Sequence, residues 1–327
     1  MQGSQTSLFD SGEPELGDLT TPLSLLSLME APGIGPAKAL AVARKFGTWE
    51  SFLRADEATL RAVVGSAASG MLGIQQLPPT ELPSGVRTVG YFDHDYPESL
   101  RSIPNPPAVL WVRGSLPPRR SVAIVGTREP TAAGAAMAAS LATVAVNCGW
   151  GVVSGLALGI DIAAHRAALV AKGGTWAFLG SGVDRVTPNL HQGDAEEILV
   201  RGGGLISEMP PGTTTAPRHL VARNRLQSGS SLVTIITQAG VPSGTLHTAR
   251  FTIEQGRILT VVQPPLSEHD DPSWRGNRDL LRSEGCDPSM LSARGNLGRV
   301  IRNRQPAADF RISNANQLGQ ILQRIEQ

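Results

Sequence analysis

The stretch Val122-Ala123-Ile124-Val125-Gly126-Thr127-Arg128-Glu129-Pro130 is the most informative about the fold class. In it, a short apolar run ends at a glycine, and a helical pattern starts just after the proline. The same alternation recurs from about residue 109 onward. Strand-like apolar runs occupy residues 109–112, 122–125, 151–153, 175–179, 205–207, 232–237 and 258–262. Helical patterns fill most of the gaps between them, at 132–146, 160–171, 194–201 and 245–255.

Strands that alternate with helices predict parallel βαβ units. The strands are apolar throughout rather than at every second residue, which is expected when helices cover both faces of a sheet. We therefore predict an α/β fold built on an open, doubly wound and mostly parallel sheet. In such sheets ligands bind beyond the carboxyl ends of the strands, so the loops that follow the strands are the candidate functional segments.

The region before this pattern predicts a different organisation. Residues 1–20 are acidic and lack periodicity, so we expect a disordered tail. Residues 21–76 form a small helical domain, with apolar residues at helical spacing in 23–29, 37–46 and 58–64. The proline-rich stretch 77–88 is a predicted linker. The α/β domain then covers 89–290, and 291–327 is a short extension, too short for a full winged helix.

Bulk composition restricts the function only weakly. The chain has 327 residues, 41% of them apolar, and a net charge of +1, which does not by itself indicate a polyanionic partner. Only three of the 29 basic residues are lysines. Arginine suits phosphate and base recognition because its planar fork binds bidentately and stacks, although a GC-rich genome would produce the same excess.

Cysteine usage and hydropathy exclude several classes of protein. Cys148 and Cys286 are the only cysteines and are far apart, so we expect neither a disulfide framework nor a metal site. Nothing in the sequence indicates a cofactor. The N-terminus lacks the pattern of a secretory signal, and no uncharged apolar run reaches the roughly 20 residues that a membrane helix needs. We therefore predict a cytoplasmic protein with no membrane partner.

Two glycine-bearing loops precede predicted helices. After residue 125, Gly126 and Arg128 lie where free helix N–H groups would favour an anion, although a plain strand-to-helix turn would have the same sequence. After residue 153, glycines allow a ligand to approach the backbone closely, and an acidic residue and a histidine one turn apart are candidates for a contact. A capping carboxylate and a structural histidine are favoured over a catalytic pair. The residues of this second loop are Ser154, Gly155, Gly159, Asp161 and His165.

Two further segments are candidates for phosphate binding. A basic cluster at Arg218, Arg223, Asn224 and Arg225 precedes a buried strand, where it can hold phosphates and base edges; a solvated run of charges is the alternative. Ser243, Gly244 and Thr245 start another helix after a strand. In the N-terminal region, Gly33, Gly35 and Lys38 form a hairpin that either turns amides towards a DNA phosphate or is only a tight turn between helices.

Taken together, these segments resemble the DNA processing protein A (DprA/Smf) family over about residues 90–285. The resemblance is carried by Tyr96-Pro97-Glu98-Ser99-Leu100, Val125-Gly126-Thr127-Arg128, Ser154-Gly155-Leu156-Ala157 with Gly159-Ile160-Asp161 and Ala164-His165, Glu208, Arg223-Asn224-Arg225, Ser243-Gly244, Thr248-Ala249 and Gly256-Arg257. The hairpin at Gly33–Gly35 resembles a helix-hairpin-helix. Leu220-Val221, Gln238 and Gln263-Pro264-Pro265 depart from the family pattern.

The resemblance implies a Rossmann-like fold and a protein without a catalytic centre that protects single-stranded DNA. It further implies loading of the RecA recombinase during recombination or natural transformation, and a homodimer. By motif match, Arg128, Arg223, Asn224 and Arg225 would form the DNA pocket, with the 154–159 loop beside them. Asp161, His165 and Glu208 would have structural or capping roles in the pocket.

Two other functions compete with this one. A hydrolase of nucleoside monophosphates from a related superfamily would need a glutamate after Gly244-Thr245, and here Leu246, His247 and Thr248 follow instead. Without that glutamate, general acid–base catalysis lacks its residue. A module that binds a small nucleotide signal, for example in phage defence, would use the same loops. The missing aromatic residue at Leu220 keeps that alternative open, because base stacking on a ring is worth about 1–3 kcal/mol.

Overall fold

The computed structural model describes residues 17–77, 81–282 and 307–325. The chain forms two compact units. The first contains the chain up to residue 80 together with 90–94 and 107–109, and the second contains 81–89, 95–106 and everything from 110 onward. The predicted tail up to residue 16, residues 78–80 of the predicted linker, and 291–306 of the predicted extension lie outside the described residues.

The first unit is helical, as predicted. Its helices are α1 (Pro22–Met29), α2 (Pro36–Phe46), α3 (Trp49–Leu53) and α4 (Glu57–Val64), followed by a 3₁₀ segment at Gly65–Met71. Prolines occupy the first turn of α1 and α2, where their missing N–H costs nothing. The Asp56 carboxylate caps α4 by accepting from Thr59 N at 2.7 Å. Leucines and aromatic side chains fill the core, among them Leu25, Leu40, Trp49, Phe52 and Leu60.

The second unit is built on a nine-stranded sheet. Its strands are β1 (Val86–Gly90), β2 (Val109–Gly114), β3 (Ser121–Val125), β4 (Gly151–Ser154), β5 (Thr175–Phe178), β6 (Gly204–Ser207), β7 (Val233–Ile236), β8 (Ile258–Val262) and β9 (Phe310–Ile312), in the order β1-β2-β6-β5-β4-β3-β7-β8-β9. Every pairing from β6 across to β9 is parallel, whereas β2 joins β6 antiparallel. The predicted doubly wound, mostly parallel sheet is therefore confirmed.

Helices connect the strands. They are α5 (Glu98–Arg101), α6 (Ala132–Asn147), α7 (Ile160–Val170), α8 (Gln192–Val200), α9 (Pro217–Gly229), α10 (Thr245–Glu254), α11 (Arg275–Leu281) and α12 (Asn316–Ile325). Alternate residues of a strand face opposite sides of the sheet. Val122 and Ile124 accordingly pack in the core beneath α6, α7 and α12, whereas Val125 packs with Leu246 and Ala249 of α10. Helices thus cover both faces, which is why the strands are continuously apolar.

Three features differ from the predicted elements. The segment predicted as a basic cluster before a strand is the helix α9. Leu226 is the one large apolar side chain among its buried residues, and Arg223, Gln227 and Ser228 are buried beside it, so the helix lacks the usual apolar periodicity. Part of the predicted linker is β1. Residues beyond 306 contribute β9 and α12 to the sheet and its core, so the sheet does not end at residue 290.

Among the described residues, the helices are all too short or too polar to span a bilayer.

Candidate functional site

A cavity of about 470 Å³ opens beside the carboxyl ends of β3 and β7, which lie next to each other in the sheet. From β3 the chain continues towards β4 on one side, and it later returns with β7 on the other side. The loops that follow the two strands therefore diverge and leave a crevice, the usual ligand position in such sheets. We call this space cavity A; the loops after β3, β4 and β7 and one face of α9 line it.

The loop after β3 places Arg128 at cavity A. Gly159 has φ +78°, and a Cβ there would lie 2.4 Å from the carbonyl oxygen of Thr127. Only glycine therefore lets the loops after β3 and β4 pack together, and Ile160 N bonds the same oxygen at 3.1 Å. The Arg128 side chain is exposed and lines cavity A. Within residues 17–77, 81–282 and 307–325 it has no hydrogen-bond or ion-pair partner, so its charge is available to a ligand.

At the start of α6, two of the amides that the sequence offered to an anion already have partners. Thr131 caps this helix by accepting from Gly134 N at 3.1 Å. The Thr131 amide donates to the side-chain oxygen of Gln238 at 3.0 Å, and the Thr131 hydroxyl donates to Glu268 at 2.7 Å. These caps and the nearby Glu268 carboxylate oppose an anion at this helix start, and the anion site expected there stays a prediction.

Arg223 lies behind Arg128 in the same cavity. Its side chain is 4% exposed, and Nη1 lies 3.9 Å from Oδ2 of Asp161. With the Gln227 amide turned so that its oxygen faces donors, that oxygen accepts from Gly155 N at 2.9 Å and from Arg223 Nη1 at 2.5 Å. The Nε atom of Arg223 is buried without a partner among the described residues. The guanidinium is therefore held in place but incompletely satisfied.

The charges around cavity A are unbalanced towards positive. Burial lowers the pKa of Arg223, the Asp161 carboxylate opposes that shift, and the nearby positive charge of Arg128 adds to it. Burial likewise raises the pKa of Asp161, against the effect of Arg223. Arg223 thus has one nearby carboxylate, Asp161, and Arg128 adds a second positive charge beside it. A bound anion would relieve the mutual repulsion of the two arginines, which gives the cavity a preference for negatively charged ligands.

The start of α10 adds a positive helix end to cavity A. Its N-cap position is Gly244, which has no side chain, and Ser243 Oγ accepts from Thr245 N at 3.2 Å. Asn224 Nδ2 donates to the Gly244 carbonyl at 3.2 Å, which ties α9 to this helix start. Ser243, Gly244, Thr245 and Asn224 all line cavity A. The partial positive charge of a helix N-terminus favours phosphate here.

Asp161 and His165 are not a catalytic pair in the structure. Asp161 accepts from Gly155 N at 3.1 Å, an amide of the preceding loop rather than of α7 itself. His165 is fully buried; its Nδ1 lies 2.7 Å from Thr175 Oγ1, and its Nε2 accepts from Leu156 N at 3.3 Å. Both residues lie in the described part of the chain, and no hydrogen bond or ion pair joins them. Burial lowers the pKa of His165 to about 3, so this histidine is neutral and holds the loop.

The same loop is held from its other side by a histidine that the sequence did not single out. His191 Nδ1 donates to the Leu156 carbonyl at 2.8 Å. Leu156 adopts φ +57°, a left-handed conformation that is unfavourable for a leucine. The two buried imidazoles fix its N–H and its C=O. Ser154 is also occupied internally, because its hydroxyl donates to the Ile124 carbonyl at 2.7 Å.

Arg225 and Arg218 do not line cavity A. Residues Pro217, Leu220, Val221, Asn224 and Gln227 share the face of α9 that lines it, as expected for positions three and four apart on a helix. Arg225 lies on another face and forms a bidentate ion pair with Glu208 at 2.7 and 2.5 Å, and its Nε donates to Asn105 O at 3.0 Å. Grouping Arg225 with Arg128 in one pocket is thus contradicted by this geometry.

The N-terminal hairpin belongs to the first unit. There, Lys38 Nζ donates to the Gly33 carbonyl at 3.0 Å, and α2 begins at Pro36 after Gly35. The lysine therefore closes the hairpin on which it lies.

A doubly wound sheet with an anion-attracting cavity at its strand tips defines a Rossmann-like ligand-binding protein. Comparison with known families narrows this class. The model of the DNA recombination-mediator protein A family matches residues 87–290, and that of the SAM-like helix-hairpin-helix tandem matches residues 25–68. The chain belongs to the DNA recombination-mediator protein A family, as the sequence motifs indicated.

Curated relatives agree with this assignment. The DNA processing protein DprA of Bacillus subtilis is 39% identical over 183 residues, which is 54% of this chain and 61% of the relative. Protein Smf of Escherichia coli is 34% identical over 183 residues, covering 55% of this chain and 49% of the relative. The chain thus spans roughly half the length of the curated relatives that it matches.

Two solved structures share the fold. DNA processing protein A from Streptococcus pneumoniae superposes with a TM-score of 0.65 at 23% identity, covering 84% of this chain and 98% of that one. DNA processing protein A from Helicobacter pylori, whose structure was described for its single-stranded DNA binding mode, has a TM-score of 0.57 at 26% identity and covers 73% of this chain and 96% of that one.

Proposed function

We propose that this chain binds single-stranded DNA in cavity A and acts as a recombination mediator that protects the strand and loads the RecA recombinase onto it. The observation that carries the proposal is that the guanidinium groups of Arg128 and Arg223 line one cavity at the tips of parallel strands. The family membership and the reported DNA binding of the Helicobacter pylori relative support the same ligand.

The electrostatics of cavity A favour a phosphodiester. Arg128 offers an unpaired, exposed charge at the cavity, and the start of α10 adds the partial positive charge of a helix N-terminus on another wall. Arginine binds phosphate through a planar fork of donors, and contacts of this type supply most of the sequence-independent affinity for nucleic acids. We therefore expect binding with little dependence on base sequence and with a strong dependence on salt.

The departure at Leu220 sets the strength of binding. Leu220 and Val221 line cavity A and offer aliphatic surface to a base instead of an aromatic ring. Since a base stacked on a ring contributes about 1–3 kcal/mol, we expect affinity per nucleotide to be lower than in a protein with a ring at that position. Phosphate contacts would then account for a larger share of the affinity.

The family membership supports a proposal for the partners and the assembly. We propose a homodimer that receives single-stranded DNA and transfers it to RecA in the cytoplasm, during recombination or the uptake of transforming DNA. The N-terminal unit, through the hairpin of Gly33, Gly35 and Lys38, is a second proposed phosphate contact, with Lys38 released from the Gly33 carbonyl when DNA binds.

Fluorescence anisotropy on the full chain tests the proposal. Labelled oligo-dT, a duplex, RNA of the same length and thymidine monophosphate are compared at fixed salt. We expect oligo-dT to bind most tightly, and Arg128→Ala to weaken it and to lower the slope of log K against log salt by about 0.7–1. Arg311→Ala, which removes an exposed arginine of β9, is the matched control. Equal affinity for a mononucleotide and for the oligomer would instead support a module for a nucleotide signal.

A further inference from the structure

A second cavity of about 200 Å³ adjoins cavity A, and we call it cavity B. Four residues line both spaces: Arg128, Ala157, Leu220 and Arg223. The remaining lining of cavity B comes from Gly155, Leu158, Thr187, Pro188 and Thr215. The two cavities are thus separated by one shared wall, and that wall carries both guanidinium groups.

The outer walls of the two cavities differ in chemistry. Beyond the shared wall, cavity A presents Ser243, Thr245 and the start of α10, which suit a phosphate and a sugar. Cavity B presents Leu158 and Pro188, and Leu158 is 42% exposed although it is a large apolar side chain. An apolar surface next to two cations fits a flat, uncharged group attached to an anion, which is the chemistry of a nucleobase on its phosphate.

The two volumes indicate how a ligand divides between the cavities. Pockets that enclose a complete small molecule measure about 300–1,000 Å³. Cavity A, at about 470 Å³, lies within that range, whereas cavity B, at about 200 Å³, lies below it. Cavity B is therefore suited to part of a ligand whose remainder occupies cavity A.

We propose that cavities A and B are consecutive nucleotide subsites of one strand. One nucleotide occupies cavity A, the phosphodiester that links it to its neighbour lies at Arg128 with Arg223 behind it, and the neighbour's base enters cavity B against Leu158. This inference rests on the proposed binding of single-stranded DNA and makes the dinucleotide the shortest ligand that reaches both subsites.

Ligands of increasing length, measured on the full chain, test whether one strand occupies both subsites. Thymidine monophosphate, the dinucleotide pTpT and longer oligo-dT compete with a labelled oligo-dT for the protein. We expect affinity to rise about tenfold from the mononucleotide to the dinucleotide, since the second base and the linking phosphate are then bound, and to rise less with each further nucleotide. Equal affinity for pTpT and the mononucleotide would overturn the proposal.

Substitutions at Leu158 test whether the higher affinity of pTpT than of the mononucleotide comes from cavity B. Leu158→Tyr supplies a ring for stacking and should increase the affinity for pTpT by about tenfold, with no change in the affinity for the mononucleotide. Leu158→Ala should lower the affinity for pTpT only. The control is Val170→Tyr, at an exposed position (83% exposed) at the opposite end of α7, about 15 Å away by the helical rise. If the tyrosine variant does not fold, the alanine variant decides.

The two proposals fail in different ways. Absence of any binding of oligo-dT by the unmodified chain would refute the proposed function. Binding of oligo-dT with no effect of either Leu158 variant on pTpT, or with the same effect on pTpT and on the mononucleotide, would refute the subsite in cavity B and leave the DNA ligand in place.

Discussion

The guanidinium of Arg223 lies directly against the backbone of Gly155, because a Cβ at position 155 would stand 1.4 Å from Nη1. The glycine amide in turn donates to Asp161 at 3.1 Å, and Asp161 lies 3.9 Å from the same Nη1. The loop after β4 and the arginine of α9 therefore determine each other's positions. A glycine in this loop is required by the arginine beside it rather than by its own backbone angles.

Gly155→Ala should displace Arg223 and loosen cavity A. Overpacking a tight site costs roughly 1–3 kcal/mol, so we expect the free energy of unfolding to fall by that amount and oligo-dT binding to weaken with it. Urea denaturation and anisotropy measure the two effects. Gly193→Ala is the control, since a Cβ there meets no atom within 4 Å and alanine favours the helix α8; if both variants behave alike, the contact has no energetic role.

Arg225→Ala should affect stability rather than the salt dependence of binding. Arg225 and Glu208 are 14% and 12% exposed and form a bidentate ion pair. Removing one charged partner should lower the free energy of unfolding by about 2 kcal/mol, with an unchanged slope of log K against log salt. Arg128→Ala should instead lower the slope of log K against log salt and leave the free energy of unfolding nearly unchanged. A salt slope that falls in Arg225→Ala would place this arginine on DNA.

The buried His165 should make the protein less stable in mild acid. Its pKa falls from the ordinary 6.5 to about 3 because burial disfavours the imidazolium. The unfolded chain therefore binds a proton below pH 6.5 that the folded chain refuses. The stability that depends on neutral His165 is complete above pH 6.5 and is lost as the pH drops, by about 2 kcal/mol at pH 5.

A variant at position 165 separates the contribution of this histidine to the pH dependence of stability from that of the other titrating groups. His165→Gln cannot be protonated, so its unfolding free energy should change less between pH 7.5 and pH 5 than that of the unmodified chain, although the variant starts from lower stability. Parallel pH profiles of the two proteins would show that His165 is already solvated in the native state.

Gln238→Glu should be tolerated better in acid than in base. The side-chain amide of Gln238 is fully buried; its oxygen accepts from Thr131 N at 3.0 Å, and its nitrogen donates to Ser273 Oγ at 2.8 Å. A glutamate there would be buried and so have a raised pKa. The unfolded chain loses this proton at the ordinary glutamate pKa of about 4.3, so stability is complete below that pH and is lost as the pH rises from there through the raised pKa of the folded chain. Melting temperatures at pH 5 and pH 8 measure this, with Gln320→Glu in the C-terminal helix α12 as the exposed control.

Much of the fold could be predicted from the sequence because most elements bury apolar faces. The strands from β3 to β8 and the helices α6, α7 and α10 lie within a few residues of the predicted runs. Helix α9 could not be predicted in this way, because the side chains that it buries are mostly polar: Arg223, Gln227 and Ser228 accompany Leu226. Their burial depends on partners elsewhere in the chain, which periodicity does not reveal.

The candidate site was also predictable in part. The glycine-rich loops that follow the strands predicted the position of cavity A, and Arg128 and Arg223 both line it. Sequence adjacency misassigned Arg225, because on a helix a residue two positions after Arg223 points to a different side. The role of His191 was not predictable from a lone histidine, since its partner is a backbone carbonyl 35 residues away.

The last strand of the sheet has a practical consequence for work with fragments. The pairing of β9 with β8, through Thr260 and Phe310 among other residues, covers the backbone amides and carbonyls on that side of β8. A recombinant protein cut at residue 290 would leave them open to pair with other molecules, and bare apolar edges of this kind promote aggregation. Expression boundaries should therefore include residues 307–325, even though the family match ends at residue 290.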